Sequence, residues 1–201
     1  MKKKILLIIV ILPIIVTGVG GYFGYRFVWE KAHEHFKKAE YTQVEKIIRF
    51  FPKPRNSDRL RIYAQTAMAL NHFDKASGAY KSLYSKTKDP SYKLILGNIA
   101  NQQKDYDDAI KIYNEVISLN PNYIQAYVNL ATVYMIKGNN DKATEIAEKG
   151  IKSNENSTIL YELLASLMMD KKDSPRFSEA VANLKKLDPQ NYLVTQINEK
   201  K

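Results

Sequence analysis

Three histidines and 21 aspartates and glutamates, with no cysteine, are what this 201-residue chain offers for metal binding or nucleophilic attack. His33-Glu34-His35 looks like a metal pair, but residues two apart on a helix point in different directions, and no third ligand is spaced to join them. His72 falls in a turn between helices with no serine or acid arranged around it. No glycine-rich loop follows a strand and opens a helix, so nothing cradles a phosphate. The lack of cysteine excludes a disulfide framework, a thiolate zinc site, a cysteine nucleophile and a lipid anchor on an acylated cysteine. Asn156-Ser157-Thr158 fits a glycosylation acceptor and is read as a chance match. The residue inventory therefore predicts a chain that is not an enzyme and holds no metal or cofactor.

The elements behind this inventory repeat. Asp74-Lys75-Ala76, Asp107-Asp108-Ala109 and Asp141-Lys142-Ala143 are set 33 and 34 residues apart, and twelve residues before each alanine stands a small residue, Ala64, Gly97 or Ala131. A period of this length marks stacked helix pairs. In the clearest unit, Tyr127, Leu130, Ala131 and Tyr134 lie at i, i+3, i+4 and i+7, on one helical face. Gly138-Asn139-Asn140 breaks that helix, and Asp141 is expected to cap the next. Ala143 and Ala147 are small enough for the two helices to touch.

These residues resemble the tetratricopeptide repeat, with its large aromatic, Leu-small pair, second aromatic, alanine, third aromatic and closing proline. The unit from Pro90 supplies Leu96-Gly97, Tyr106, Ala109, Tyr113 and Pro121, but has Lys93 in place of the first aromatic and Ala100 in place of the second. The unit from Ser57 supplies Leu60, Tyr63-Ala64, Ala67, Phe73, Ala76 and Tyr80, with Lys88 at the proline position. Expected boundaries are 27–56 for a degenerate pair, 57–89, 90–123 and 124–157 for three good repeats, and 158–191 for a degenerate repeat lengthened around Lys171 to Arg176. Residues 192–201 form a short cap in which Leu193, Val194 and Ile197 cover the last repeat. The expected fold is all-α, an α-solenoid of antiparallel helix pairs preceded by one transmembrane helix. Motif residues such as Ala131 or Tyr113 are read as scaffold.

The resemblance implies a concave groove lined by the first helix of each pair, holding a protein or peptide partner. Its lining would be Arg61, Gln65 and Met68, then Leu94, Asn98, Asn101 and Gln102, then Gln125, Val128, Asn129 and Thr132. Most of these are neutral, and amides pair with a peptide backbone without selecting a charge. Asn98 and Asn129 fall where the family's carboxylate clamp has its asparagines. Leu94, Ile159 and Leu163 stand where that clamp needs cations, so the resemblance argues against acidic C-termini as ligands of the groove.

Ile5 to Tyr25 is a run of 21 residues without a charge, about 31 Å long as a helix and so long enough to cross a bilayer core. Residues 1–26 are read as a basic start and an uncleaved anchor, giving lipid contact through residues 5–25. Tyr22, Tyr25 and Trp29 are placed at the hydrocarbon–water boundary. The short lysine-rich start favours an N-terminus in the cytoplasm and a repeat domain outside it. Gly20 and Gly24 leave room for a homo-oligomer.

Beyond Arg26 the chain has 27 basic and 21 acidic residues, a net of +6. Nucleic-acid binders cluster their cations on a stripe, whereas most here lie beside acids on polar helix faces, so no nucleic-acid partner is expected. The expected function is a membrane-anchored protein–protein interaction scaffold, extracytoplasmic in a bacterium, assisting secretion, envelope or pilus assembly. The rivals are a cytosol-facing membrane receptor for preproteins or signalling partners, and a self-assembling structural module.

Overall fold

The computed structural model describes residues 18–199, in which every regular element is an α-helix. The chain divides into two compact units, Met1–Thr87 and Lys88–Lys201. The first contains α1 (Gly18–Lys37), α2 (Tyr41–Ile48), α3 (Ser57–Ala69) and α4 (Phe73–Thr87). The second contains α5 (Pro90–Gln102), α6 (Tyr106–Leu119), α7 (Ile124–Ile136), α8 (Asn140–Ser153), α9 (Thr158–Leu167), α10 (Pro175–Leu187) and α11 (Tyr192–Glu199). Within each unit, consecutive helices pack as antiparallel neighbours joined by short turns. In the second unit the first helices also meet one another, α5 against α7 and α7 against α9. Each unit thus has the layering of an α-solenoid.

One turn recurs inside the pairs. At α1–α2, α3–α4, α5–α6 and α7–α8 the residue two past the first helix is left-handed: Ala39, Asn71, Lys104 and Gly138, with φ of 56°, 57°, 63° and 73°. The next amide then reaches back over the turn. Glu40 N donates to His35 O at 3.0 Å, His72 N to Ala67 O at 2.8 Å, Asp105 N to Ala100 O at 2.9 Å and Asn139 N to Tyr134 O at 2.8 Å. This is the Schellman closure, which satisfies carbonyls that a helix end otherwise leaves bare. Only Gly138 adopts the conformation without a side-chain penalty.

Helix starts are held by side chains. Asn56 Oδ1 accepts from Asp58 N and Arg59 N, Asp105 Oδ1 from Asp108 N, Ser157 Oγ from Leu160 N and Ser174 Oγ from Phe177 N. The cap of α8 is Asn139, whose Oδ1 accepts from Lys142 N at 3.0 Å; the expected Asp141 lies inside the helix. The Schellman closure explains the shift, because it already brings the Asn139 backbone to the point where a cap must sit.

The membrane reading is corrected. Among the described residues no helix is long and apolar enough to cross a membrane. Residues 1–17 of the expected span lie outside the described residues. The remainder belongs to α1, which carries Arg26, Glu30, Lys31, Glu34 and Lys37 and pairs Arg26 with Glu30 and Lys31 with Glu34. Trp29 is 3% exposed in a core with Ala32, Val44, Ile48 and Ile62. Tyr25 packs on Trp29 at 6.2 Å and on Phe51 at 6.0 Å. Tyr25 and Trp29, assigned to a lipid boundary, pack against protein instead. The single-pass anchor, the bilayer contact through residues 5–25, the extracytoplasmic placement and the membrane receptor are therefore not supported.

In the second unit a continuous core joins Tyr113, Val116, Tyr127, Leu130, Leu160, Leu164, Phe177 and Leu184, and closes on Leu193 and Val194 of α11. Small residues set the helix spacing. A Cβ on Gly97 would stand 2.5 Å from Tyr113 Cε1, and one on Gly150 would meet Tyr127 Cγ at 3.0 Å. Gly97→Ala gains about 1 kcal/mol in helix propensity but overpacks a fully buried ring, a cost of about 1–3 kcal/mol. Urea unfolding is expected to show a net loss of up to about 2 kcal/mol; a raised midpoint would contradict this packing.

Candidate functional site

Gly97 does more than let two helices approach. The bare face it leaves on α5 admits the ring of Tyr113 from α6, and Tyr113 is 0% exposed. From there the phenol hydroxyl donates to Asn98 Oδ1 at 2.8 Å. Asn98 Oδ1 also accepts from Asn129 Nδ2 of α7 at 2.7 Å, and Asn129 Oδ1 accepts from Gln125 Nε2 at 2.7 Å. A buried tyrosine and three amides therefore form one chain of hydrogen bonds across consecutive first helices. The chain runs from core to surface, since Asn98 and Asn129 are half-buried and Gln125 is exposed.

The amides differ in what remains to offer. Asn98 Oδ1 has both lone-pair directions occupied, while its Nδ2 makes no hydrogen bond among the described residues. That nitrogen and the Gln125 carbonyl oxygen are complementary to the C=O and N–H of an extended backbone. Burial pushes the Tyr113 phenol up to about 12, with Asn129 hydrogen bonding offsetting part of the rise. Tyr113 is accordingly a neutral donor that fixes the orientation of Asn98.

The other candidates are placed unevenly. Leu94 is buried and packs in the core, and Val128 is half-buried against it. Thr132 Oγ1 donates to Val128 O at 2.8 Å within its own helix. Asn101 is half-buried and Gln102 is exposed near the end of α5. In the first unit, Gln65 is exposed, Met68 is half-buried and Arg61 pairs with Asp58 at 2.9 Å. Ile159 is exposed and Leu163 half-buried. Lys93, which takes the place of an aromatic, forms an ion pair with Glu115 of α6.

The histidines go elsewhere. His35 pairs with Glu40, His72 Nδ1 faces Glu45 Oε1 at 3.0 Å, and His33 is exposed. Among the described residues no group of three or more His, Asp or Glu is placed to hold a metal. Ser157 of the acceptor pattern is 8% exposed and caps α9.

Helix pairs with small residues at the crossings, Schellman closures within the pairs and a first-helix layer together match one family. Tetratricopeptide repeats are found over residues 64–124 and again over 100–167. Residues 64–167 belong to the tetratricopeptide repeat family. Tetratricopeptide repeats are non-catalytic scaffolds, and residues 64–167 are of that kind. The Hsp70-Hsp90 organising protein of Plasmodium falciparum (isolate 3D7) is 33% identical over 94 residues, which are 47% of this chain and 16% of that protein. The match thus spans about a sixth of that relative. Among solved structures, MamA superposes with a TM-score of 0.58 at 23% identity, over 85% of this chain and 97% of that one. A tetratricopeptide repeat protein from Parabacteroides merdae superposes with a TM-score of 0.64 at 17% identity, over 86% and 70%. At these identities the structures attest the fold alone.

The residue missed by sequence reasoning is Tyr113, read there as scaffold only. Its signal is a hydroxyl at a position where phenylalanine would fill the same volume. Asn98→Ala strands that buried hydroxyl, and urea unfolding is expected to lose about 1–3 kcal/mol, with a smaller loss in a Tyr113→Phe background. Because the folded phenol is raised, its share of stability is full below the unfolded value near 10 and disappears as pH rises through about 12. The difference in unfolding free energy between the natural chain and Tyr113→Phe is expected to change over that window; a flat difference would contradict the assignment.

Proposed function

We propose that this tetratricopeptide repeat chain is a structural module that binds another protein, holding an extended segment across the first helices α5 and α7. The observation that carries this reading is the Gln125–Asn129–Asn98–Tyr113 chain, which presents oriented amides on adjacent helices. Pre-orientation matters because an amide already locked by its neighbours loses little further freedom on binding. Neutral donors and acceptors favour recognition of backbone over recognition of charge. The P. falciparum relative is named for organising Hsp70 and Hsp90. On this chain Ile159 and Leu163 provide no cation for a terminal carboxylate, so the groove proposed here takes an internal segment of a partner.

The proposal is tested with a photoreactive residue at Gln102, next to the face, and another at Lys149 as a control. Site-dependent crosslinking to a protein partner is expected from Gln102 alone, reduced about fivefold or more by Asn98→Leu with Asn129→Leu in a chain of unchanged helicity. Crosslinks of equal yield from both positions, or insensitive to the two substitutions, would remove the face from consideration.

A second reading, self-assembly, is favoured by large apolar side chains left exposed in the second unit: Leu119 at 53%, Ile136 at 52%, Ile159 at 54% and Tyr192 at 72%. Burying such side chains between copies stabilises association. Sedimentation equilibrium is expected to show a mass that rises with concentration, and Ile136→Lys with Ile159→Lys to suppress the rise; a monomer mass throughout would discard self-assembly.

A further inference from the structure

Among the described residues the net charge lies in the first unit. Residues 18–87 hold 13 Lys and Arg against 6 Asp and Glu, a net of +7, whereas residues 88–201 hold 15 of each. In the first unit, five of the six acids are already engaged: Glu30 with Arg26, Glu34 with Lys31, Glu40 with His35, Glu45 with Lys75 and His72, and Asp58 with Arg61. The cations left without a carboxylate include Lys53, Arg55 and Lys86, of which Lys53 and Lys86 are brought together on α4 and the link that carries Arg55.

The gathering has a structural cause. Residues 51–56 link α2 to α3 through Pro52 and Pro54, which stiffen the link, and Pro54 is buried. Lys53 Nζ donates to Gly78 O and to Ser82 Oγ, the latter at 2.7 Å. Lys86 Nζ donates to Arg55 O. Gly78, Ser82 and Lys86 are spaced four apart, along one face of α4. The two ammonium groups are thereby fixed near each other on neutral carbonyl oxygens. Burial first, and then the charge of Lys86, hold Lys53 below the ordinary lysine value. An anion placed here would remove that repulsion while meeting cations that are already immobilised.

We infer that the 51–56 link and the Gly78–Ser82–Lys86 face of α4 form a docking surface for an acidic segment of a partner protein. This rests on the scaffold reading above, but it uses side chains of the first unit and none of the amides on α5 and α7. The cations would supply attraction and rate of encounter, and salt would weaken the contact.

The test uses the full chain and a fluorescent polyglutamate peptide as probe, with binding followed by anisotropy at low and moderate salt. The natural chain is expected to bind, and Lys53→Gln with Lys86→Gln to weaken binding by about fivefold or more. Lys53→Arg with Lys86→Arg is expected to retain binding, and Lys149→Gln with Lys152→Gln, in the neutral unit, to leave it unchanged. Circular dichroism establishes that each variant is folded. No binding by the natural chain, equal weakening by the two glutamine pairs, or failure of the arginine pair to bind would overturn the surface. So would tighter, Lys53- and Lys86-dependent binding of an oligothymidylate of equal charge, which would make the ligand a nucleic acid, or full displacement by inorganic phosphate, which would make it a small-anion site. Loss of this surface leaves the Gln102 crosslinking result standing, so the two readings fail separately.

Discussion

Close approach of paired helices is the constraint on which the second unit depends. Where Gly97 meets Tyr113 and Gly150 meets Tyr127, the missing Cβ is replaced by an aromatic ring. The spacing is then fixed by a rigid ring and not by a side chain with several rotamers. At Gly97 the same contact also carries the Tyr113 hydroxyl to the surface of α5, where Asn98 receives it. Packing and the placing of Asn98 share an atom-level cause here: without the glycine the ring does not fit, and without the ring Asn98 keeps only its hydrogen bond to Asn129.

The turns show a second economy. The Schellman closure recurs with Ala39, Asn71, Lys104 and Gly138 at the left-handed position, so turn geometry is kept while residue type varies. A left-handed alanine or lysine costs of order 1 kcal/mol or more, and it persists because packing on both sides determines the turn. Sequence reasoning located the break at Gly138-Asn139-Asn140 through its composition. It placed the cap at Asp141 because an acid three residues past a glycine looks equivalent to an asparagine one residue past it. The backbone hydrogen bond from Asn139 to Tyr134 decides between them, and no residue type announces that bond.

The all-α repeat fold was legible because its signals are periodic and local: small residues at a fixed interval, and aromatics at helical spacing. The membrane assignment failed for a physical reason. A run without charges that ends on Tyr25 and is followed by Trp29 has the same composition whether its aromatics face lipid headgroups or a protein core. Trp29 packs against Val44 and Ile62, from helices distant in sequence, and a one-dimensional hydropathy reading contains no such partners. The site was partly legible. Asn98 and Asn129 are recognisable as amides on first helices, but their mutual hydrogen bond and the role of Tyr113 depend on how α5, α6 and α7 stack.

Charge distribution follows a different logic from either. Averaged over the chain, the cations look dispersed among acids, as they are in residues 88–201. Within residues 18–87 five of the six acids are engaged by other partners, and the proline-stiffened link brings Lys53 to α4 beside Lys86. Two lysines satisfied by carbonyl oxygens satisfy their hydrogen-bonding capacity but not their charge, because a carbonyl dipole offsets only part of a full positive charge. Ser82 lies within reach of both the link and the face of α4. Serine there holds Lys53 in place without neutralising it. The first unit therefore combines fixed geometry with uncompensated charge, whereas the second combines fixed geometry with neutral amides.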